Sequence, residues 1–322
     1  MSASRTVFVV NAYVPNGGTL MAYHMAVILH RDFGYEVCVL TDHQGPDHGI
    51  FLYDPVFETK PLADIDKLIT ARDILICNPS FSAYNFGLRF DCLKIMYVQG
   101  FTTYSLIDRF FDHYVSVSGF VRDFLQTTYG LSTRVIPPFV ALGDQPPPPD
   151  WRHRPEGSLV LNLKISNDLQ TLLLDRIRQR MALIAPDIVS RIDWELALQM
   201  SADRVSHRGM LKRLGEARYL LTLAVGEGFG LVPLEAMGLG TTVLGFDGFG
   251  GRDYMRPNEN CAVRAYPDID GVADDLVWVF SDAEYAKSLA KKGQETAARY
   301  TYERFRQAWI EEFRQALSHT GD

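Results

Sequence analysis

Cysteine is scarce in this chain. Of 322 residues only Cys38, Cys77, Cys92 and Cys261 carry a thiol, and no two stand in a C-x-x-C pair. That spacing excludes the usual zinc and dithiol signatures and points to reduced, buried thiols of a cytosolic protein. Basic charge is also short: 32 Lys and Arg stand against 39 Asp and Glu, a net charge of −7. A general nucleic-acid binder needs a basic footprint, so the balance argues against that class, while leaving room for a local basic patch. No apolar run approaches a bilayer span, and the opening MSASRTVFVVNAY leads into a short strand-like run rather than a signal-peptide core. Membrane contact is expected to be peripheral at most. The eight histidines, His207 among them, form no H-x-x-x-H or Cys/His cluster, so none is assigned to a metal. No G-x-G-x-x-G follows the first strand-like run, which argues against a nicotinamide-dependent Rossmann enzyme.

What the chain does have is core material. Apolar residues make up 47% and charged residues 22%, enough for packed globular domains, and the length allows two. Short β-branched runs recur at Thr6–Val10, Val37–Leu40, Asp73–Cys77, Leu93–Val98, Tyr114–Ser118 and Arg134–Ile136. They recur again at Leu159–Leu163, Trp194–Leu198, Tyr219–Val225 and Thr242–Phe246. Helical spacing separates several of them: Leu20, Val27 and Ile28, then Phe120 and Phe124, with Ser118 as a helix cap. Two more helical patterns follow, Val272, Leu276 and Val279, then Phe305, Trp309, Phe313 and Leu317. Strands alternating with helices predict an α/β architecture with parallel, doubly wound sheets. Four consecutive prolines, Pro146 to Pro149, break the rhythm as a stiff connector. The expected division is therefore a domain over 1–145, a linker over 146–150, a domain over 151–300 and a terminal helix over 301–322.

The most informative stretch is Glu227-Gly-Phe-Gly-Leu-Val-Pro-Leu-Glu235, directly after the apolar run ending at Val225. A buried strand should end in a glycine-bearing loop, with a helix starting near Val232-Pro233, where a missing N–H costs nothing. Free amides of such a helix start suit an anion. The two carboxylates repel phosphate but accept hydroxyls, so the stretch suits a diphosphate flanked by sugar alcohols. The plainer alternative is an ordinary βαβ unit with solvated glutamates. Earlier in the chain, Gly17 and Gly18 precede a helix near Thr19 and offer a second close-approach turn.

Glu-x7-Glu in the setting EGFGLVPLEAMGLGTTVLGFD resembles the donor-site motif of retaining, family-4 type glycosyltransferases of the GT-B fold, the glycosyl transferases group 1. The resemblance continues through Gly248-Phe-Gly-Gly251, Pro257-Asn-Glu-Asn260 and the glycine loop at Gly17-Gly18. It includes the segment with Ser118 and Arg134, read either as cleft-lining or structural. It implies two Rossmann-like domains facing a cleft, with the last helix returning to the first domain. It also implies transfer of a hexose, a deoxyhexose such as rhamnose included, from a nucleoside diphosphate sugar to a glycan or lipid-linked glycan, without metal or further cofactor. Glu227 would then bind donor sugar hydroxyls at the catalytic centre. Backbone groups of Phe229, Gly230 and Leu231 would hold the sugar, Glu235 the ribose, and Gly17 and Gly18 the diphosphate. The family's usual setting implies a cytoplasmic protein, at the inner membrane face where its acceptor is lipid-linked.

Two departures stand out. Where the family has a catalytic-centre His, Tyr97-Val-Gln99-Gly places Gln99, which hydrogen-bonds but does not titrate. Where it has an Arg and a Lys that neutralise the diphosphate, the chain has Asn162 and Asn167, with Lys164 nearby as a substitute. These departures motivate an alternative, a catalytically weak GT-B relative acting as a carbohydrate-binding or partner subunit; a GT-B sugar-nucleotide epimerase shares the same fold. Asp64-Ile-Asp66 and Asp268-Ile-Asp270 echo a metal-binding D-x-D but are read as solvated acids. Arg252 and Asp253 are read as cleft-facing or as surface charges.

Overall fold

Parallel strands covered on both faces need apolar residues at successive positions, and the first part of the chain supplies them. The computed structural model describes residues 5–11, 17–42, 55–82, 84–143, 146–163, 168–202 and 205–318. It begins with β1 (Thr6–Val10), α1 (Gly17–Phe33), β2 (Glu36–Thr41), β3 (Glu58–Pro61) and α2 (Ile65–Leu68). Then come β4 (Ile74–Cys77), β5 (Leu93–Val98), β6 (His113–Ser116), α3 (Gly119–Tyr129) and β7 (Arg134–Val135). The seven strands form one parallel sheet in the order β3-β2-β1-β4-β5-β6-β7. The order reverses beside β1, which is the doubly wound arrangement. The edge strand β3 was not expected, because Glu58-Thr-Lys-Pro61 has no apolar signal and pairs with β2 through its backbone alone. Ser118 caps α3, its Oγ accepting the Val121 N–H at 3.1 Å, and Arg134 is paired with Glu311 at 2.6 Å. Both therefore serve the fold.

The later elements are β8 (Leu159–Asn162), α4 (Asp168–Ile184), α5 (Pro186–Arg191), α6 (Trp194–Ala202) and α7 (His207–Glu216). They are followed by β9 (Tyr219–Thr222), α8 (Leu231–Gly238), β10 (Thr242–Phe246), β11 (Ala262–Arg264), α9 (Ile269–Ser281) and α10 (Ala283–Ala297). Their sheet is parallel in the order β11-β10-β9-β8. Among the described residues it winds in one direction only, so the reversal expected of both sheets belongs to the first. Leu159, Leu161, Leu221, Leu244 and Phe246 share one core with α4, α5 and α9. The alternate residues Val160, Leu220, Val243 and Val263 are buried as well, so both faces are covered.

Trp194–Leu198, expected as a strand, is the start of helix α6. Asp193 Oδ1 accepts the Leu196 N–H at 2.9 Å, a helix cap. Trp194 and Ala197 are buried while Leu196 and Leu198 are exposed, a three-residue period that a strand cannot satisfy. Helix α10 was not expected, because its buried face is mostly small: Ala286, Leu289, Ala290, Gly293 and Ala297. The small face has a use. A Cβ on Gly293 would stand 3.1 Å from Met237 Cγ, so α10 lies close against α8.

The chain divides into two compact units, 1–138 together with 302–322, and 139–301. The division precedes the prolines because the segment before them is already tied down. Val140 N–H donates to Tyr300 O at 2.9 Å, and Val140 and Leu142 lie beside Gly238. Pro146 to Pro149 then run along α7, with Pro148 against Gly215. Helix α11 (Tyr302–Ser318) belongs to the first unit, where Trp309 meets Tyr97 edge-on at 5.0 Å and Phe313 meets Phe33.

One buried cation organises the second unit. Arg154 is 4% exposed and its guanidinium faces carbonyls. Nη1 donates to Ala217 O at 2.8 Å and Nη2 to Leu239 O at 2.7 Å, with further bonds to Gly240 O and Pro149 O. Ala217 and Leu239 are the C-caps of α7 and α8. The cation thus sits at the negative ends of two helix dipoles. Burial draws its pKa down to about 10, with Asp150 opposing the shift, so it stays charged at neutral pH. Arg154→Met is expected to cost about 3 kcal/mol or more in urea denaturation, because several buried carbonyls lose their donor at once. A cost below about 1 kcal/mol would show that the two helix ends do not depend on it.

Candidate functional site

The loop after β9 and the loop after β10 are locked together through their backbones. Glu227 N–H donates to Gly248 O at 2.9 Å, and Glu227 O accepts the Gly250 N–H at 3.1 Å. The approach leaves no room for a side chain: a Cβ on Gly250 would stand 2.1 Å from Gly228 O. Gly248, with φ of 59°, lies against Glu227, where an added Cβ would be 3.1 Å from the glutamate Cβ. Phe249 between them also has a positive φ of 67°, which costs an L-residue about 1–2 kcal/mol. Asp247 holds it there, accepting the Phe249 N–H at 3.0 Å and the Arg252 Nε–H at 2.7 Å, while Arg252 lies over the Phe249 ring. Arg252, read from sequence as cleft-facing or a surface charge, therefore makes an ion pair that braces this turn. Glu227 itself is half-buried.

Helix α8 starts at Leu231, slightly before the expected Val232-Pro233. Gly230 precedes it with φ of 88° and, as a glycine, supplies no side-chain cap to the first turn. Pro233 has no N–H, so the amides of Leu231 and Val232 are the ones the turn offers. Tyr254 fixes the turn from behind, its hydroxyl donating to Gly230 O at 2.5 Å. Burial, and next the Glu227 charge, hold the Tyr254 phenol well above its ordinary pKa, so it stays a donor. The Phe229 ring is buried against Tyr254 and Tyr300 at 5.1 and 5.6 Å. The Phe229 side chain is therefore spent on packing.

Glu235 sits in the second turn of α8 and is buried. Its Oε1 lies 2.6 Å from His207 Nε2. The carboxylate read as open to ribose hydroxyls is thus already engaged by an imidazole, with Nε2 as donor. His207 was passed over as one of eight lone histidines. Its partner is 28 positions away, so no spacing in the sequence announces the pair. Ser206 caps α7 by accepting the Gly209 N–H at 3.2 Å, and this places His207 in the first helical position. Burial disfavours the imidazolium, but the hydrogen bond to Glu235 and the carboxylate's charge outweigh that, and the His207 pKa is raised.

In the first unit the structure brings together two of the expected residues. Gln99, half-buried just past β5, donates its Nε2–H to Gly18 O at 3.0 Å. Gly17 and Gly18 form the opening of α1, so Gln99 braces the glycine turn. In the second unit Asn162 Nδ2 donates to Thr222 Oγ1 at 3.2 Å and ties the ends of β8 and β9. Lys164 and Asn167 lie outside the described residues. Asp64 and Asp66 pair with Lys67 and Arg89, and Asp268 caps α9. Among the described residues no group of three or more His, Cys, Asp or Glu is gathered to hold a metal, and no helix is long and apolar enough to cross a membrane.

Residues 205–296, which contain both locked loops and His207, match the family described as glycosyl transferases group 1. Sucrose-phosphate synthase from Thermosynechococcus elongatus superposes with a TM-score of 0.72 at 16% identity, covering 98% of this chain and all of that one. HepE from Anabaena, solved with UDP and glucose, superposes with a TM-score of 0.71 at 13% identity over 97% of this chain and all of that one. A glycosyltransferase from Rickettsia africae gives 0.70 at 13% identity over 98% and 99%. The fold is that of the GT-B glycosyltransferases. No curated protein matches the chain in sequence.

Two outcomes are expected. Gly250→Ala should lower stability by about 3 kcal/mol in urea denaturation, since the added carbon meets backbone on a strained turn. A neutral result would mean that the loops separate freely. The second concerns His207. Its folded pKa lies above the unfolded value, so its pairing with Glu235 contributes fully below the unfolded pKa and is lost as pH rises through the folded one. His207→Ala should therefore cost about 1–3 kcal/mol at pH 6 and distinctly less at pH 9. An equal cost at both pH values would show that charge plays no part.

Proposed function

We propose that the protein is a glycosyltransferase that moves a hexose, rhamnose included, from a nucleoside diphosphate sugar to a hydroxyl of a glycan or lipid-linked glycan. Transfer retains the anomeric configuration, needs no metal and takes place in the cytoplasm or at the inner membrane face. The observation that carries this reading is the backbone lock between Glu227 and Gly248–Gly250, set beside a helix start whose N-cap is a glycine with no side-chain cap. The group 1 match over these residues and the likeness to a protein solved with UDP and glucose support it.

The reaction breaks the bond between the anomeric carbon and the donor phosphate oxygen and forms a bond from that carbon to the acceptor oxygen. Negative charge develops on the departing diphosphate, which is the charge to be stabilised. Fixed amides at Leu231 and Val232 suit that task because they need no reorganisation. The acceptor proton passes to the leaving phosphate oxygen, so no side chain is required as a base. Gln99 then serves by hydrogen bonding, holding Gly18. Glu227 accepts hydroxyls of the transferred sugar. Glu235, with His207 on one oxygen, serves the ribose through the other.

A second reading has one observation behind it. Asn162, in the place of the family's diphosphate-binding cation, is already bonded to Thr222. Without a cationic clamp the chain would bind a sugar nucleotide but turn it over weakly or not at all, as a carbohydrate-binding or partner subunit.

The test is calorimetric titration with UDP-, GDP-, ADP- and dTDP-sugars, followed by assay of donor hydrolysis and transfer. One donor is expected to bind, and Glu227→Ala should weaken it by about 10- to 100-fold, the loss of a charged hydrogen-bonding group. Glu227-dependent binding without turnover on any glycan would favour the binding subunit. Binding of none of the four removes the transferase reading.

A further inference from the structure

Ribose carries two adjacent hydroxyls, and a free carboxylate accepts such a pair, one on each oxygen. Glu235 is not free in that sense. Its Oε1 lies 2.6 Å from His207 Nε2, a short bond with an ionised acceptor. Among the described residues no other hydrogen bond to the Glu235 side chain is found, so Oε2 is unpaired. The side chain is 4% exposed. Even so, Oε2 is not among the buried side-chain atoms left without a partner, which are Ser82 Oγ, Tyr104 OH and Trp309 Nε1. An unpaired oxygen that is not shut from solvent is an open acceptor. One edge of the carboxylate is closed and the other is open.

The pairing is held by the fold on both sides. Ser206 caps α7 by accepting the Gly209 N–H, which sets His207 in the first turn. At their C-terminal ends α7 and α8 are tied by Arg154, which donates to Ala217 O and Leu239 O. The two backbones that carry the pair therefore keep their register. Tyr254, whose phenol feels the Glu235 charge, uses its hydroxyl on Gly230 O and does not compete for the carboxylate. Oε1 keeps a second lone pair. A carboxylate oxygen already engaged at 2.6 Å has less charge to offer a further hydroxyl.

We propose that His207 is a specificity-determining residue. By holding Oε1 it reduces the ribose contact of Glu235 to one hydroxyl, so 2′-deoxyribonucleoside diphosphate sugars are taken as readily as ribonucleoside ones. A deoxyribose keeps its 3′-hydroxyl, and that one group satisfies Oε2. The inference rests on the transferase reading, in which Glu235 serves the ribose. A carboxylate with both oxygens open would lose a charged hydrogen bond with every 2′-deoxy donor and would discriminate against it.

The experiment is calorimetric titration of the full chain with diphosphates matched in pairs that differ only at the 2′ position: UDP and dUDP, GDP and dGDP, ADP and dADP. The members of the pair that binds should have affinities within about threefold of each other. His207→Ala frees Oε1, and the same pair should then differ by about tenfold or more in favour of the ribonucleotide. His207→Gln keeps an N–H donor and should keep the wild-type ratio. A histidine needed only to satisfy a buried carboxylate would alter stability and leave that ratio alone. A wild-type preference for the ribonucleotide beyond about threefold overturns the proposal, and this comparison needs no variant to fold. A ratio unchanged in His207→Ala overturns it as well. In both cases the binding itself leaves the transferase reading standing. Binding of none of the six removes that reading and the proposal together.

Discussion

The second unit depends on one close approach, the passage of Gly250 over the Gly228 carbonyl. Backbone meets backbone there at a distance that excludes any side chain. Once the two loops are joined, Glu227 has little freedom, because its own N–H and C=O are both used to make the join. The chain must then rise through Gly230 in a left-handed turn and enter α8 at Leu231. The position of Glu235 follows one helical turn later. A single steric constraint therefore places the glutamate, the amides and the second glutamate in a fixed relation. Two glycine motifs some twenty residues apart in sequence are one structural device.

The far end of the same helix is fixed by different physics. Arg154 satisfies the carbonyls at the ends of α7 and α8 with one planar cation, a geometry that a lysine point charge would not reproduce. The helices so joined also meet through His207, at the start of α7, and Glu235, in the middle of α8. Helix α8 is thus held at its start by Tyr254 and the glycine lock, at its middle by His207 and at its end by Arg154. It is short and almost wholly buried, so these contacts rather than intrinsic propensity keep it in place.

Legibility in the sequence tracked how local each cause was. The strands β1, β4, β5 and β10 could be read because a buried parallel strand writes its burial into consecutive residues. Trp194–Leu198 was misread since a short apolar run has no period until its burial is known, and the Asp193 cap decided for helix. The edge strand β3 was hidden because its pairing needs only backbone. At the site, Glu227 and the glycines were legible, being set in one strand-loop-helix stretch with strict steric needs. His207 was not, because its meaning comes from a partner across the fold. Arg154 was invisible for the same reason: its partners are carbonyls, which every residue carries.

The chain's shortage of cations bears on how such a site would handle a charged donor. On the proposed reading, with Asn162 bonded to Thr222 and with Arg252 and Arg154 committed to Asp247 and to helix ends, the donor's charge falls to peptide dipoles near Glu227. Dipoles that are fixed before the ligand arrives stabilise charge without first reorganising. Their effect depends on position within a fraction of an ångström, far more than that of a mobile lysine. A site that relies on amides must therefore spend stability on holding its loops rigid, through positive φ at Phe249, glycines at points of contact and a buried tyrosine behind the turn. On the proposed reading, rigidity of the backbone in the 248–250 turn takes the place of charge on the side chains described there.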